Sequence, residues 1–160
     1  MNEENRGYGW GVWLLVENEW FKTHIEHPAH ITIMCNMTET DAMELYKTIG
    51  EFVGLKYIAE CNYKCHLFCD KSYSNDDPFK YSSGFNCMLN EWNIFRRICE
   101  NYLKYNPSFG SFSVNPHLTY NYSKDINGVK YMNLEHSTYL SCRLVIADIR
   151  NMSPSLWNST

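Results

Sequence analysis

Apolar and polar positions switch between two periods along the chain, and the switches divide it into strands and helices. Trp10 to Val16 (WGVWLLV) is dense in β-formers and predicts a strand. The polar run 17–28, with His24, His27 and Pro28, predicts a loop. Ala29 to Cys35 (AHITIMC) predicts a second strand, with Ile31 and Ile33 on one face and His30, Thr32 and Met34 on the other. Thr38, with Asp41 three residues on, has the spacing of a helix N-cap. Ala42, Leu45, Tyr46, Ile49, Phe52 and Val53 then keep helical spacing as far as Gly54, which is suited to end the helix. Leu55 to Ile58 and Tyr63 to Cys69 predict two short strands.

The second part of the chain repeats this style. Lys71 to Gly84 (KSYSNDDPFKYSSG) is polar and turn-rich and predicts the connection between halves. Met88, Leu89, Trp92, Phe95, Ile98, Cys99, Tyr102 and Leu103 form a helical stripe stopped by Asn106-Pro107. Val114 to Tyr122 predicts a strand, Asp125 to Gly128 a turn and Thr138 to Ile149 a long closing strand, with a loose tail after Asn151. The pattern describes one α+β domain over 1–150, with similar halves at about 8–72 and 85–150 and a tail at 151–160. Each half owns one long amphipathic helix and one strand led by a proline.

Composition narrows the function class. The 160 residues carry 14 Lys and Arg against 18 Asp and Glu, a formal charge of −4, which argues against a surface that coats long nucleic acid. A small anionic ligand, needing only a few local donors, stays compatible. The N-terminus lacks the basic-then-apolar order of a signal peptide, and Trp13 to Val16 is far short of the roughly 20 residues that span a bilayer. Seven scattered cysteines, an odd number, suit free thiols in a reducing compartment, so a cytoplasmic location is expected. Cys61, Cys65, His66 and Cys69 lack the second ligand pair of a zinc site and read as buried thiols, so neither metal nor other cofactor is expected.

The chemistry-bearing feature is His30-Ile31-Thr32-Ile33 set against His117-Leu118-Thr119-Tyr120. In a strand each His shares a face with the Thr two residues on, while Ile31 or Leu118 points the other way. Six His and eight Thr would place only about 0.3 His-x-Thr triplets in this chain by chance. There are three, but His136-Ser137-Thr138 lacks both the apolar middle residue and the leading proline. Two imidazoles and two hydroxyls in one groove can cleave a phosphodiester without metal. One imidazole takes the proton of the attacking oxygen, the other protonates the leaving oxygen, and the hydroxyls hold the phosphate oxygens as charge builds.

Paired His-apolar-Thr-apolar motifs, one per half in a chain of this size, resemble the 2H phosphoesterase superfamily of LigT-like enzymes. The resemblance spans roughly 8–150 in element order and eight residues in motif identity, with Tyr120 where an aliphatic residue is common. It implies a bilobal α+β fold in which two antiparallel sheets line a central cleft with helices outside. It also implies His30, Thr32, His117 and Thr119 as the catalytic set. With an Asn-, Tyr- and Ile-rich composition, the chain looks like viral members that degrade cyclic GMP-AMP and related immune messengers in the host cytosol. The alternatives are cleavage of 2′,5′-oligoadenylate or of 2′,3′-cyclic RNA ends, or a non-catalytic nucleotide sponge. The expected partner is a small nucleotide, with no long nucleic acid and no membrane. Tyr8, Trp10 and Trp20 are candidates to stack on a base, and Glu135 to accept from a guanine edge.

Overall fold

The computed structural model describes residues 7–69 and 77–160. The N-terminal six residues and residues 70–76, which include the first part of the polar connection, lie outside the described residues. The order is β1 (Trp10–Val16), α1 (Glu19–His24), β2 (His30–Met37), α2 (Glu39–Phe52), β3 (Lys56–Cys69), β4 (Tyr81–Met88), α3 (Trp92–Tyr105), β5 (Ser111–Phe112), β6 (His117–Ser123), β7 (Thr138–Asp148) and β8 (Asn158–Ser159).

The fold is α+β, with a single antiparallel sheet of eight strands among the described residues. Strands β1, β2, β6, β4, β3 and β7 lie side by side in that order, and β7 pairs back onto β1 to close a ring. Strand β5 adds to β2, and β8 to β7. The two separate sheets expected from the sequence are therefore joined. One junction is a regular ladder from Lys56–Arg143 to Cys61–Thr138 between β3 and β7. The other is the single pair Ile31–Leu118 between β2 and β6. The halves of the chain are interleaved, since β7 lies between β1 and β3, and β6 between β2 and β4.

Strand alternation sorts the side chains onto two faces. Val12, Leu14, Ile31, Ile33, Ala59, Phe85, Leu118 and Leu144 build the main core with Leu45 and Ile49 of α2 and Phe95 and Cys99 of α3. Thr38 caps α2 as its spacing predicts, its hydroxyl accepting from the Asp41 N–H at 3.1 Å. On the other face, Trp13, Val145 and Ala147 meet Phe79, Ile149 and Trp157 in a second, aromatic cluster.

Besides the unexpected two-residue strand β5, five elements differ from the sequence reading. The run 17–28 holds the short helix α1, anchored by one buried residue, Phe21, which is too few to show a period. Strand β3 is continuous where two were expected, because Tyr57, Ala59 and Cys61 stay buried while Ile58 and Glu60 alternate outward. Part of the expected connection is strand β4, whose Ser, Gly and Asn content reads as turn. It packs closely: a Cβ on Gly84 would sit 2.3 Å from the Leu118 carbonyl oxygen. A one-residue bulge between the Val12–Met34 and Trp13–Thr32 pairs re-phases β2, so Met34 joins the core and Cys35 takes its place on the His30 face. The segment after Asn151 is not loose: β8 pairs with β7, and Trp157 is buried. Burying such a ring contributes about 3 kcal/mol, which offsets part of the roughly 1–2 kcal/mol per residue that ordering the segment costs.

Candidate active site

Strands β2 and β6 position the four motif residues. Ile31 and Leu118 pair directly and point into the core. Extending the antiparallel register by one residue each way sets His30 opposite Thr119 and Thr32 opposite His117, all on the opposite face. The two histidines are diagonal neighbours, a relation that places Cα atoms about 7–8 Å apart. All four residues line one cavity of about 570 Å³.

Each imidazole is held the same way. His30 Nδ1 lies 2.6 Å from the Pro28 carbonyl oxygen, and His117 Nδ1 lies 2.9 Å from that of Asn115. A carbonyl can only accept, so in the neutral rings Nδ1 carries the hydrogen and Nε2 holds the lone pair. The acceptor is two residues upstream in both cases. A proline, Pro28 or Pro116, sits in that span and fixes the chain direction entering the strand.

The surroundings of the two rings differ. His30 is almost fully buried, stacked on Trp13 with centroids 3.7 Å apart and planes 12° off parallel. His27 and Trp157 stand edge-on to it at 5.9 and 6.0 Å. Burial pushes the His30 imidazole down to about 3, and charge on His27 and His117 acts the same way against the Pro28 carbonyl. Burial also pushes His27 down to about 4, opposed by the Thr119 carbonyl. Both rings are neutral at neutral pH. His117 is half-buried, with the Phe68 ring 5.2 Å away. Cys35 keeps some surface toward the cavity, but its sulfur is enclosed, and burial pushes its thiol up to about 12. Cys35 therefore offers no thiolate nucleophile beside the histidines near neutral pH.

Of the candidates for base recognition, Tyr8 lines the cavity, its ring 4.9 Å from Phe79. Trp10 packs against the main core, with the Arg150 guanidinium 4.8 Å above its ring. Trp20 is on α1, 38 % exposed and stacked on His24 at 4.1 Å. Glu135 is in the exposed loop before β7. Trp10, Trp20 and Glu135 do not line the cavity, and neither does His136.

Sequence reasoning missed Trp13, His27, Phe79, Tyr122 and Trp157, which wall the His30 side. Trp13 sits in a strand apolar on both faces, so alternation could not single it out. Among the described residues, no group of three or more His, Cys, Asp or Glu is placed to hold a metal ion. Cys61 is buried opposite Cys87 of β4, Cys65 is half-buried, and the Cys69 side chain lies outside the description. No helix among the described residues is long and apolar enough to cross a membrane.

No protein-family model matches the chain, and no curated protein matches it.

Proposed function

We propose that the protein is a phosphodiesterase using two-histidine acid–base catalysis, within a bilobal fold of the 2H phosphoesterase type. Its proposed substrate is a small cyclic nucleotide messenger, cyclic GMP-AMP or a related cyclic dinucleotide, degraded as a viral countermeasure to host immunity. One observation carries the reading: two imidazoles, each with Nδ1–H committed to a backbone carbonyl, share a cavity with two threonine hydroxyls.

The environments suggest a division of labour. His30 is neutral at neutral pH, so it begins the reaction able only to accept a proton at Nε2. His117 is then the acid. The nucleophile, water or a ribose 2′-OH, forms the new P–O bond and gives its proton to His30. The bond to the leaving oxygen breaks, and that oxygen takes the proton of His117. Thr32 and Thr119 donate to the non-bridging oxygens as negative charge grows there. Proton exchange with solvent restores both rings.

Scale supports a small substrate. A cavity of about 570 Å³ is within the range of small-molecule sites. Among the described lining residues Lys80 is the one Lys or Arg, too few for a phosphate track.

The test is incubation of pure protein with cyclic dinucleotides, 2′,5′-oligoadenylate and 2′,3′-cyclic nucleotides, read by chromatography and mass spectrometry. Cleavage of a cyclic dinucleotide that persists in EDTA is expected. His30→Ala and His117→Ala are each expected to slow it about 10³-fold while the protein stays folded. Recovery of every substrate intact, or full turnover in either variant, overturns the reading.

A further inference from the structure

The C-terminal segment supplies a residue to the candidate site that no motif announces. Trp157 is 4 % exposed and lines the cavity. Its ring lies within about 6 Å, centroid to centroid, of Tyr8, Trp13, His27, His30, Phe79 and Tyr122. Its indole N–H donates to the Asn151 carbonyl at 2.7 Å, which folds the segment back on itself and fixes the ring edge-on to His30. Two strand pairs, Ala147–Ser159 and Asp148–Asn158, hold the segment on β7, and Arg150 clamps Asp148 at its entry. An imidazole can be enclosed on each side only if every side has a wall. Trp13 covers a face of His30, His27 approaches from the preceding loop, and Trp157 packs edge-on against the ring from the C-terminal segment.

We propose that Trp157 is a positioning residue for the acid–base reaction: it seals His30 from water, so that the ring stays uncharged with its Nε2 presented to the cavity. This inference rests on the phosphodiesterase reading for its purpose, but the sealing itself is a physical property of the folded chain. Among the described residues, the titratable side chains that pack on His30 or share its cavity are His27 from the preceding loop, His117 from β6, Cys35 of β2 and Lys80 before β4, with Tyr8 and Tyr122 in the adjoining aromatic wall. Neither histidine supplies a negative charge that would hold a proton on His30. Access of water is therefore the variable that Trp157 controls.

The experiment is a histidine-selective NMR titration of the full chain, with pH–rate profiles on the cleaved substrate, for wild type, Trp157→Phe and Trp157→Ala. His30 in the wild type is expected to stay neutral down to about pH 4 or below. In Trp157→Ala its midpoint rises by about one pH unit or more, toward the ordinary imidazole value. The acid limb of the rate profile moves up by the same interval, because rate is lost where His30 takes its proton before the substrate arrives. At pH 7, where His30 stays largely uncharged in both proteins, kcat and KM change less than about threefold, so the loss is confined to the acid limb. Trp157→Phe keeps a ring in place and returns the midpoint and the acid limb most of the way. A wild-type His30 that titrates near 6.5, or a midpoint that does not move in Trp157→Ala, overturns the proposal. Should Trp157→Ala fail to fold, Trp157→Leu gives the same comparison, and the wild-type titration alone still decides whether His30 is sealed. Absence of any cleavable substrate sinks the enzymatic reading instead, while the titration continues to report on the wall.

Discussion

At the scale of single residues, the two histidines are alike in how they are held and unlike in what surrounds them. The shared feature is the Nδ1–H bond to a carbonyl two residues upstream. It sets the tautomer, and with it the nitrogen that can do chemistry. The threonines are the partners at the phosphate in the proposed reaction. Thr32→Val and Thr119→Val keep shape and lose the hydroxyl, and each is expected to lower kcat about 10²-fold with a much smaller effect on KM, measured by steady-state kinetics. Burial of His27 and His30 has a consequence for stability as well. Their folded-state values, about 4 and about 3, lie below the value of about 6.5 for an unfolded chain. The unfolded state thus binds more protons between those limits. Burial of the two neutral rings contributes stability that is fully present above about pH 6.5 and is lost as pH falls through that window. Thermal melts at pH 7 and pH 5 check this: the melting temperature falls on acidification, and His27→Phe, which has nothing to protonate, shows a smaller fall.

At the scale of elements, the close approach of β4 to β6 dictates what β4 can be made of. Gly84 sits where any Cβ would press on the Leu118 carbonyl and the Thr119 Cα, at 2.3 and 2.9 Å. These are backbone atoms of the strand that carries His117. Gly84→Ala is therefore expected to destabilise the protein by about 3 kcal/mol, read as a lower urea midpoint at unchanged slope. That constraint also explains why β4 was invisible in the sequence, since a strand required to be small looks like a turn. Elements with strong periods were legible: β1, α2, most of α3 and β7 follow their hydrophobic patterns closely. The four motif residues were legible because alternation puts His and Thr on one face, and the shared cavity follows from the pairing of Ile31 with Leu118. The flanking wall was not legible. Met34 and Cys35 exchange faces at a bulge, which shifts phase without leaving a mark in the pattern. Trp157 is a lone aromatic in a polar tail, and only long-range packing shows its use.

At the scale of the whole molecule, the ring of strands is joined unevenly. Every other neighbouring pair in it shares several registered residues, while β2 and β6 share one. The strand pair that carries the candidate chemistry is thus the thinnest seam of the sheet. Its two strands are fixed at Ile31–Leu118 and rely on side-chain packing above and below that point. A phosphate gripped by Thr32 from one strand and Thr119 from the other would act as a cross-tie, standing in for rungs that the backbone does not supply. Binding and mechanical closure would then be one event. Inorganic phosphate or a non-hydrolysable dinucleotide should slow hydrogen exchange along β2 and β6 more than along β3 and β7, where the ladder is already complete.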